Sequence, residues 1–347
     1  MPKSFLIVGG GIAGHLIAFH LKQAGQKICI IDNGNNQSSR VAAGLINPIV
    51  FRRMAKSWRI DELLDYALEF YKDLEKHTQS TLIKPINIRR LFSSKQEVEL
   101  WKQKENDPNF TSYLHPILEE DNAYDVAKNE FGTGRLKQAY HVDAVSLLNT
   151  FSASVWRKEE LIKEEFDYNA LLPSSLTYKG KIFDGIVFCE GKDIQKNPLF
   201  QDIKVECTKG ELITIRHESL PEAESLNRKC FVLPMGDNTF KVGSTYVWHT
   251  DDNIPTLAGE SALKEMLRYI SDAPFNILKH DAGVRPTTYD RRPYCGENRQ
   301  YKNLFCFNGL GAKGYLLAPL LAKELTDHIL WQKALNPDVY LYRNTKK

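Results

Sequence analysis

Apolar residues along this chain fall into three textures: short continuous runs, stretches with helical period, and alternating stretches broken by turn residues. Phe5-Leu6-Ile7-Val8 is a continuous run, the pattern of a strand buried on both faces. Ile12, Ala13, Leu16, Ile17, Ala18 and Leu21 then recur with helical spacing, and Gly25 is the expected stop. Residues 27–31 predict a second strand and residues 61–77 an amphipathic helix. From residue 83 the texture changes. Strand signals at Ile86, Ile88 and Leu91-Phe92 precede a short charged helix over 95–105, punctuated by Pro85, Pro108 and Pro116. Residues 138–142 predict a strand leading back, and residues 143–156 a helix with Asp143 at its N-cap or in its first turn.

Residues 176–179 and 181–189 predict a hairpin around Gly180 followed by another buried strand. A second excursion begins at 209–215 and continues with 231–234 and 239–247, the last two joined by Gly236-Asp237-Asn238. A helix over 259–270 and a strand over 277–284 close it. Leu304-Phe305-Cys306-Phe307 is again a buried run, leading through a glycine-rich turn into a helix to about Trp331, which Pro319 should kink or delay. The tail 333–347 is polar and is expected to fray or lie along the surface. The predicted fold is α/β: a discontinuous Rossmann-like nucleotide domain (1–82, 136–198 and 281–347) with an inserted antiparallel β-sheet, α+β substrate domain (83–135 and 199–280). No internal repeat or low-complexity tract is apparent.

The first turn carries chemistry. Gly9, Gly11 and Gly14 fit G-x-G-x-x-G between a strand and a helix: the first for a tight turn, the second for close approach to a pyrophosphate, the third for helix–strand packing. The N–H groups at the start of that helix, around Ile12 and Ala13, would face the phosphates. Asp32 ends the second strand eighteen residues beyond Gly14, where an acid accepts ribose hydroxyls and disfavours a 2′-phosphate. The motif alone leaves FAD and NAD open. Asn33 follows, and then the small, apolar stretch Arg40-Val41-Ala42-Ala43-Gly44-Leu45, suited to close approach to something flat or to a tight crossover packed on the sheet. Glu190-Gly191 ends a buried strand, where parallel sheets bind ligands. Gly309-Leu310-Gly311-Ala312-Lys313-Gly314 is a second strand-to-helix turn. Two such turns at opposite ends suggest one discontinuous nucleotide domain. A helix start aimed at a flavin O2 would stabilise the anionic reduced ring.

Composition changes this picture little. The chain has 347 residues, 42% apolar and 26% charged, with a net charge of +3, too small to imply nucleic acid by itself. Residues 5–21 are apolar enough to suggest a signal peptide or membrane helix, but adjacent glycines, His15 and His20 argue for a cytosolic βαβ start, hence a cytoplasmic protein with no membrane partner. The six cysteines form no C-x-x-C pair and the nine histidines no H-x-x-x-H pattern, so no metal site is expected.

These residues resemble the D-amino acid oxidase family of FAD enzymes, which includes glycine oxidase and monomeric sarcosine oxidase. The resemblance rests on Gly9-x-Gly11-x-x-Gly14 with Asp32, on Ala42-Ala43-Gly44, on Gly283-Val284-Arg285-Pro286 with Asp290 and Pro293, and on Gly309-x-Gly311-Ala312-Lys313-Gly314. Val242-Gly243-Ser244-Thr245-Tyr246, Thr287 with Asp290, and Ala334-Leu335-Asn336-Pro337 look most like the FAD domain of the bifunctional tRNA enzyme that builds 5-methylaminomethyl-2-thiouridine. The resemblance implies oxidation of a C–N bond in a small amine or amino acid (an N-substituted glycine or a D-amino acid) by hydride transfer to flavin N5. The imine is then hydrolysed, and oxygen or another acceptor takes the electrons. It implies FAD held noncovalently, since no cysteine stands where sarcosine oxidase attaches its flavin. It makes Arg285 the carboxylate-binding group and Lys241 the group that promotes reaction with oxygen. The alternatives are an ion pair of Arg285 with Asp290 and a Lys241 on the wet face of a strand. Lys313 departs from the His of sarcosine oxidase and would stabilise charge at flavin N1 and O2. Two other readings are a tRNA-modifying flavoprotein, using Arg52, Arg53, Arg59, Arg89 and Arg90, and an NAD-linked dehydrogenase. The substrate, the choice between oxidase and dehydrogenase, and the oligomeric state are not encoded in these motifs.

Overall fold

Strands from widely separated parts of the chain meet in one sheet. In the computed structural model its order is Leu161–Ile162, Lys27–Ile31, Ser4–Val8, Gly185–Phe188, Leu304–Asn308 and Tyr294–Glu297. All neighbours are parallel except the last pair. The structure describes residues 1–35 and 37–343; Asn36, in the polar loop after Asp32, and residues 344–347, at the end of the predicted tail, lie outside the described residues. The continuous apolar runs are explained by burial on both sides. Phe5 and Ile7 pack against the helix Ile12–Gln23 and the helix Gly314–Trp331. Leu6 and Val8 pack on the other face with Ile186, Phe188, Tyr178 and Phe200.

Pro319 lies inside the helix Gly314–Trp331 and does not end it. The N–H it lacks would have bonded the Tyr315 carbonyl one turn back. That carbonyl instead accepts from the Tyr71 hydroxyl at 2.8 Å, so the helix continues at little cost. Tyr71 belongs to the amphipathic helix Ile60–Thr78, whose apolar side, including Leu63, Leu64, Ala67 and Leu74, is buried on the same core.

The second sheet runs Asn276–Thr287, Glu206–Arg216, Thr239–Gly243, Cys230–Gly236, Glu224–Arg228, Asn87–Leu91 and Thr133–Leu136, with Val247–Trp248 beside the start of Glu206–Arg216. Both excursions supply strands to it. Where they join, Glu224–Arg228 pairs with Asn87–Leu91 in parallel, against the antiparallel expectation. No hairpin links those strands, so no tight turn imposes direction. One face of the sheet, with Ile213, Val232, Phe240 and Val242, packs on Leu263 and Leu267 of the helix Leu257–Leu267.

Other elements depart from the periodicity. The helix after Asp143 is α-helical only over Ala144–Thr150 and widens to a π turn over Phe151–Val155, with Asp143 accepting from the N–H groups of Val145 and Ser146. The tail is not a loose polar strip. Val339, Leu341 and Tyr342 are buried, and Arg343 grips Asp290 through two 2.8 Å bonds. Three apolar side chains among polar ones suffice to anchor it. No helix among the described residues is long and apolar enough to cross a membrane.

Candidate active site

One cavity of about 1090 Å³ runs from the carboxyl ends of the parallel strands, at Val8, Ile31, Cys189 and Asn308, to the second sheet. Of the residues singled out from sequence, Gly9, Gly11, Ile12, Ala13, Asp32, Asn33, Ala42, Ala43, Gly44, Leu45, Glu190, Gly191, Gly311, Ala312, Lys313, Gly314 and Arg285 line it. Gly14, Arg40, Gly309 and Lys241 do not.

Close approach accounts for the first turn. Gly9 has φ +102°, and a Cβ there would lie 2.4 Å from the Cys189 carbonyl oxygen. A Cβ on Gly14 would lie 1.8 Å from the Gly9 oxygen, so Gly14 acts through packing and not through the cavity wall. The helix that starts at Ile12 has no acidic residue in its first turn. Its partial positive end is therefore left uncompensated by carboxylates of its own, as an anion site requires. The Ile12 N–H donates to Ser39 Oγ at 3.0 Å. Asp32 lies against the turn, its Oδ2 3.1 Å from where a Cβ on Gly10 would stand.

The small-residue stretch serves both readings at once. Gly44, at φ +69°, packs so closely that a Cβ would sit 1.8 Å from the Val142 oxygen, and it also faces the cavity. Arg40 is drawn away by Asn149, whose Oδ1 accepts its guanidinium N–H at 2.7 Å. Glu190 faces the cavity, but its carboxylate also accepts from Tyr168 Oη and, at 2.8 Å, from Asn197 Nδ2; burial pushes its pKa up to about 7. At the second turn Asn308 fastens two strands. Its Nδ2 donates to the Gly191 carbonyl at 3.0 Å, and its Oδ1 accepts the Gly309 N–H. The Gly311 N–H donates to the Pro286 carbonyl at 3.1 Å. Lys313 precedes the helix Gly314–Trp331, bonds Ser57 Oγ and has no carboxylate partner among the described residues. Burial, with the nearby Arg291 and Arg53, pulls its pKa down to about 8.

The other end of the cavity is built on Arg285. Its guanidinium donates to Ser244 Oγ at 2.7 Å and to the Thr245 carbonyl at 3.3 Å, and stacks 4.3 Å from the Tyr246 ring centre. Gly210 makes room for it: a Cβ there would lie 2.0 Å from a guanidinium nitrogen. The ion pair with Asp290 is not formed, because Arg343 occupies that carboxylate. Arg285 pairs with no carboxylate among the described residues, and burial lowers its pKa. A desolvated cation facing a cavity without a counter-ion is an anion site. Lys241 is half-buried on the same face of the sheet as Gly243 and Leu212, which line the cavity, without lining it itself; burial lowers its pKa, and the charges of Asp281 and Asp143 act against that shift. Ser244, Tyr246, Gly210 and Asn308 are the site residues that sequence reasoning missed. Only Ser244 and Tyr246 carried a signal, through the motif that contains them.

The chain matches the family model for FAD-dependent oxidoreductases (DAO) over residues 4–328. It is 23% identical to glycine oxidase of Bacillus subtilis (strain 168), covering 99% of this chain and 97% of that one. It is 24% identical to D-amino acid dehydrogenase of Helicobacter pylori, covering 94% and 95%. The crystal structure of glycine oxidase from Geobacillus kaustophilus superposes with a TM-score of 0.80 at 19% identity, over 96% of each chain, which shows a shared fold.

Proposed function

The chain belongs to the DAO family of FAD-dependent oxidoreductases, and from that premise we propose that it oxidises the C–N bond of a small amino acid, of the N-substituted glycine or D-amino acid type. The observation that carries this reading is Arg285, a half-buried guanidinium that faces the cavity, free of any carboxylate among the described residues. Its planar fork suits the two oxygens of a substrate carboxylate. Relatives named glycine oxidase and D-amino acid dehydrogenase support the same substrate class.

Bound FAD supplies the hydride acceptor. The residues that would hold it are the Gly9–Gly14 turn for the pyrophosphate, Asp32 for the ribose, and the Lys313 turn for the far end of the ring system. Both turns offer helix starts without acidic residues in the first turn. Arg285 fixes the substrate carboxylate, and Ser244, Thr245 and Tyr246 fix Arg285. Cys189 and Cys230 line the cavity, but burial raises the pKa of both thiols, which suits noncovalent FAD. Lys241, on the cavity face of its strand, supplies positive charge near the site for the reaction with the electron acceptor, oxygen being the simplest.

The family match sets the NAD-linked reading aside. For RNA, three of the five arginines that supported it are neutralised: Arg59 by Glu324 and Glu62, Arg89 by Asp121 and Glu224, and Arg90 by Glu97. The test is anaerobic reduction of the purified holoenzyme by a panel of glycine, sarcosine, iminodiacetate and D-alanine, with methylamine as the carboxylate-free control. Bleaching by a panel member and not by methylamine is expected; bleaching by methylamine alone would remove the role of Arg285.

A further inference from the structure

A loop from the second sheet reaches the far end of the cavity. Residues 249–256 connect Val247–Trp248 to the helix Leu257–Leu267 and place Asp251, Asp252, Asn253 and Ile254 on the lining. Asn33 and Asn35 line the same cavity, directly after Asp32, the acid whose motif position marks a dinucleotide's adenosine ribose. Asn253 Nδ2 donates to the Asn35 carbonyl at 3.1 Å. Only the NH2 end of the amide can donate, so this bond fixes which way the side chain points. Its Oδ1 is then left buried with no hydrogen-bond partner among the described residues. A buried acceptor without a donor is destabilising unless a ligand completes it.

The loop is held so that it cannot simply turn this oxygen to water. Lys209, itself buried, extends Nζ to Asp252 Oδ1 at 2.6 Å and to the Ile254 carbonyl at 2.5 Å, one residue to either side of Asn253. At the loop's end, Glu211 accepts from the Thr256 N–H and from Thr256 Oγ, each at 2.9 Å. A buried lysine committed to two consecutive loop contacts is a costly device for an ordinary surface connection.

We propose that Asn253 recognises the cofactor's adenosine: its Oδ1 accepts a hydrogen bond from an adenosine amino or hydroxyl group, and Lys209 is the positioning residue that presents it. The inference rests on the reading of the cofactor as FAD. It makes the inserted sheet, which carries Arg285 at one end of the cavity, also a wall of the adenosine site at the other.

The test is titration of the apoprotein with FAD and, separately, with ADP, which carries adenosine and diphosphate without a flavin. Asn253→Ala is expected to weaken both ligands by about the same factor, roughly tenfold or about 1.4 kcal/mol, with the thermal midpoint of the apoprotein unchanged. Lys209→Met is expected to weaken both ligands in the same proportion, and Lys209→Arg to recover most of the loss. Wild-type affinity for FAD and ADP in Asn253→Ala would overturn the inference and leave the FAD reading intact. Weakened FAD with unaltered ADP would also overturn it, by placing the contact outside the adenosine. A wild-type apoprotein that binds ADP and not FAD would instead overturn the functional reading.

Discussion

The two ends of the cavity are built to receive anions by opposite means. At the parallel sheet the means is backbone: glycines that allow contact, and helix starts with no acidic residue in their first turns. At the inserted sheet it is one side chain, Arg285, desolvated and held by Ser244, Thr245 and Tyr246. A backbone site is rigid and chemically general, so it suits a cofactor that many proteins share. A side-chain site is adjustable, so it suits a substrate. The contrast teaches that damage to the first should abolish the holoprotein, while damage to the second should leave it intact and change only what it oxidises.

The largest effect expected is at Gly14. A Cβ would stand 1.8 Å from the Gly9 carbonyl oxygen, backbone that cannot yield without opening the turn. Gly14→Val should therefore yield protein without FAD, read from the absorbance of the purified material; a yellow, fully loaded variant would break the comparison at its stronger end. At the other end, Arg285→Met should retain FAD and raise KM for a carboxylate substrate more than about tenfold, the loss of a charge-assisted pair. An unchanged KM, measured by steady-state kinetics, would move Arg285 into a structural role.

Smaller effects sharpen the contrast. Lys313, with its pKa pulled down to about 8, carries charge below that pH and loses it above. If it faces the flavin, the two-electron potential of the bound cofactor should show a break in its pH dependence near pH 8. Lys313→Met should remove the break and lower the potential at pH 7 by about 30 mV, equivalent to about 1.4 kcal/mol for two electrons. Potentiometric titration of both proteins checks this. The smallest effect concerns Glu190. Its folded-state pKa, about 7, is above the ordinary carboxyl value of 4.5, so the folded protein binds more protons than the unfolded chain between those values. Its contribution to stability is full below about pH 4.5 and is lost as pH rises through about 7. Glu190→Gln should flatten the fall of the thermal midpoint over that window.

The same contrast governs what sequence reading could reach. The Gly9–Gly14 turn, Asp32 and the Lys313 turn were legible because close backbone approach leaves glycine at fixed spacings, and spacing survives in one dimension. The buried runs at Ser4–Val8 and Leu304–Asn308 were legible because strands covered on both faces need no alternation. Arg285 was legible through its motif, but its partners were not. Gly210 and Tyr246 meet it across strands and a loop far apart in the chain, and Asp290 proved to belong to Arg343 in the tail. Lys241 lies two residues before Gly243 on the same face of its strand, so its motif position did place it on the cavity side of the sheet, although it does not itself line the cavity. The parallel junction of Glu224–Arg228 with Asn87–Leu91 has no local signal at all, since pairing between separate excursions is set by packing alone.

The proposed reaction depends on a carboxylate held by Arg285 presenting a C–N bond to bound FAD. The most direct measurement is an anaerobic titration of the wild-type and Arg285→Met holoenzymes with the amino-acid panel, following the visible flavin band. At least one amino acid is expected to bleach the wild-type flavin, and the variant, equally yellow at the start, to need more than about ten times as much of it. A wild-type protein that carries FAD and stays yellow with every member of the panel would contradict the proposed reaction.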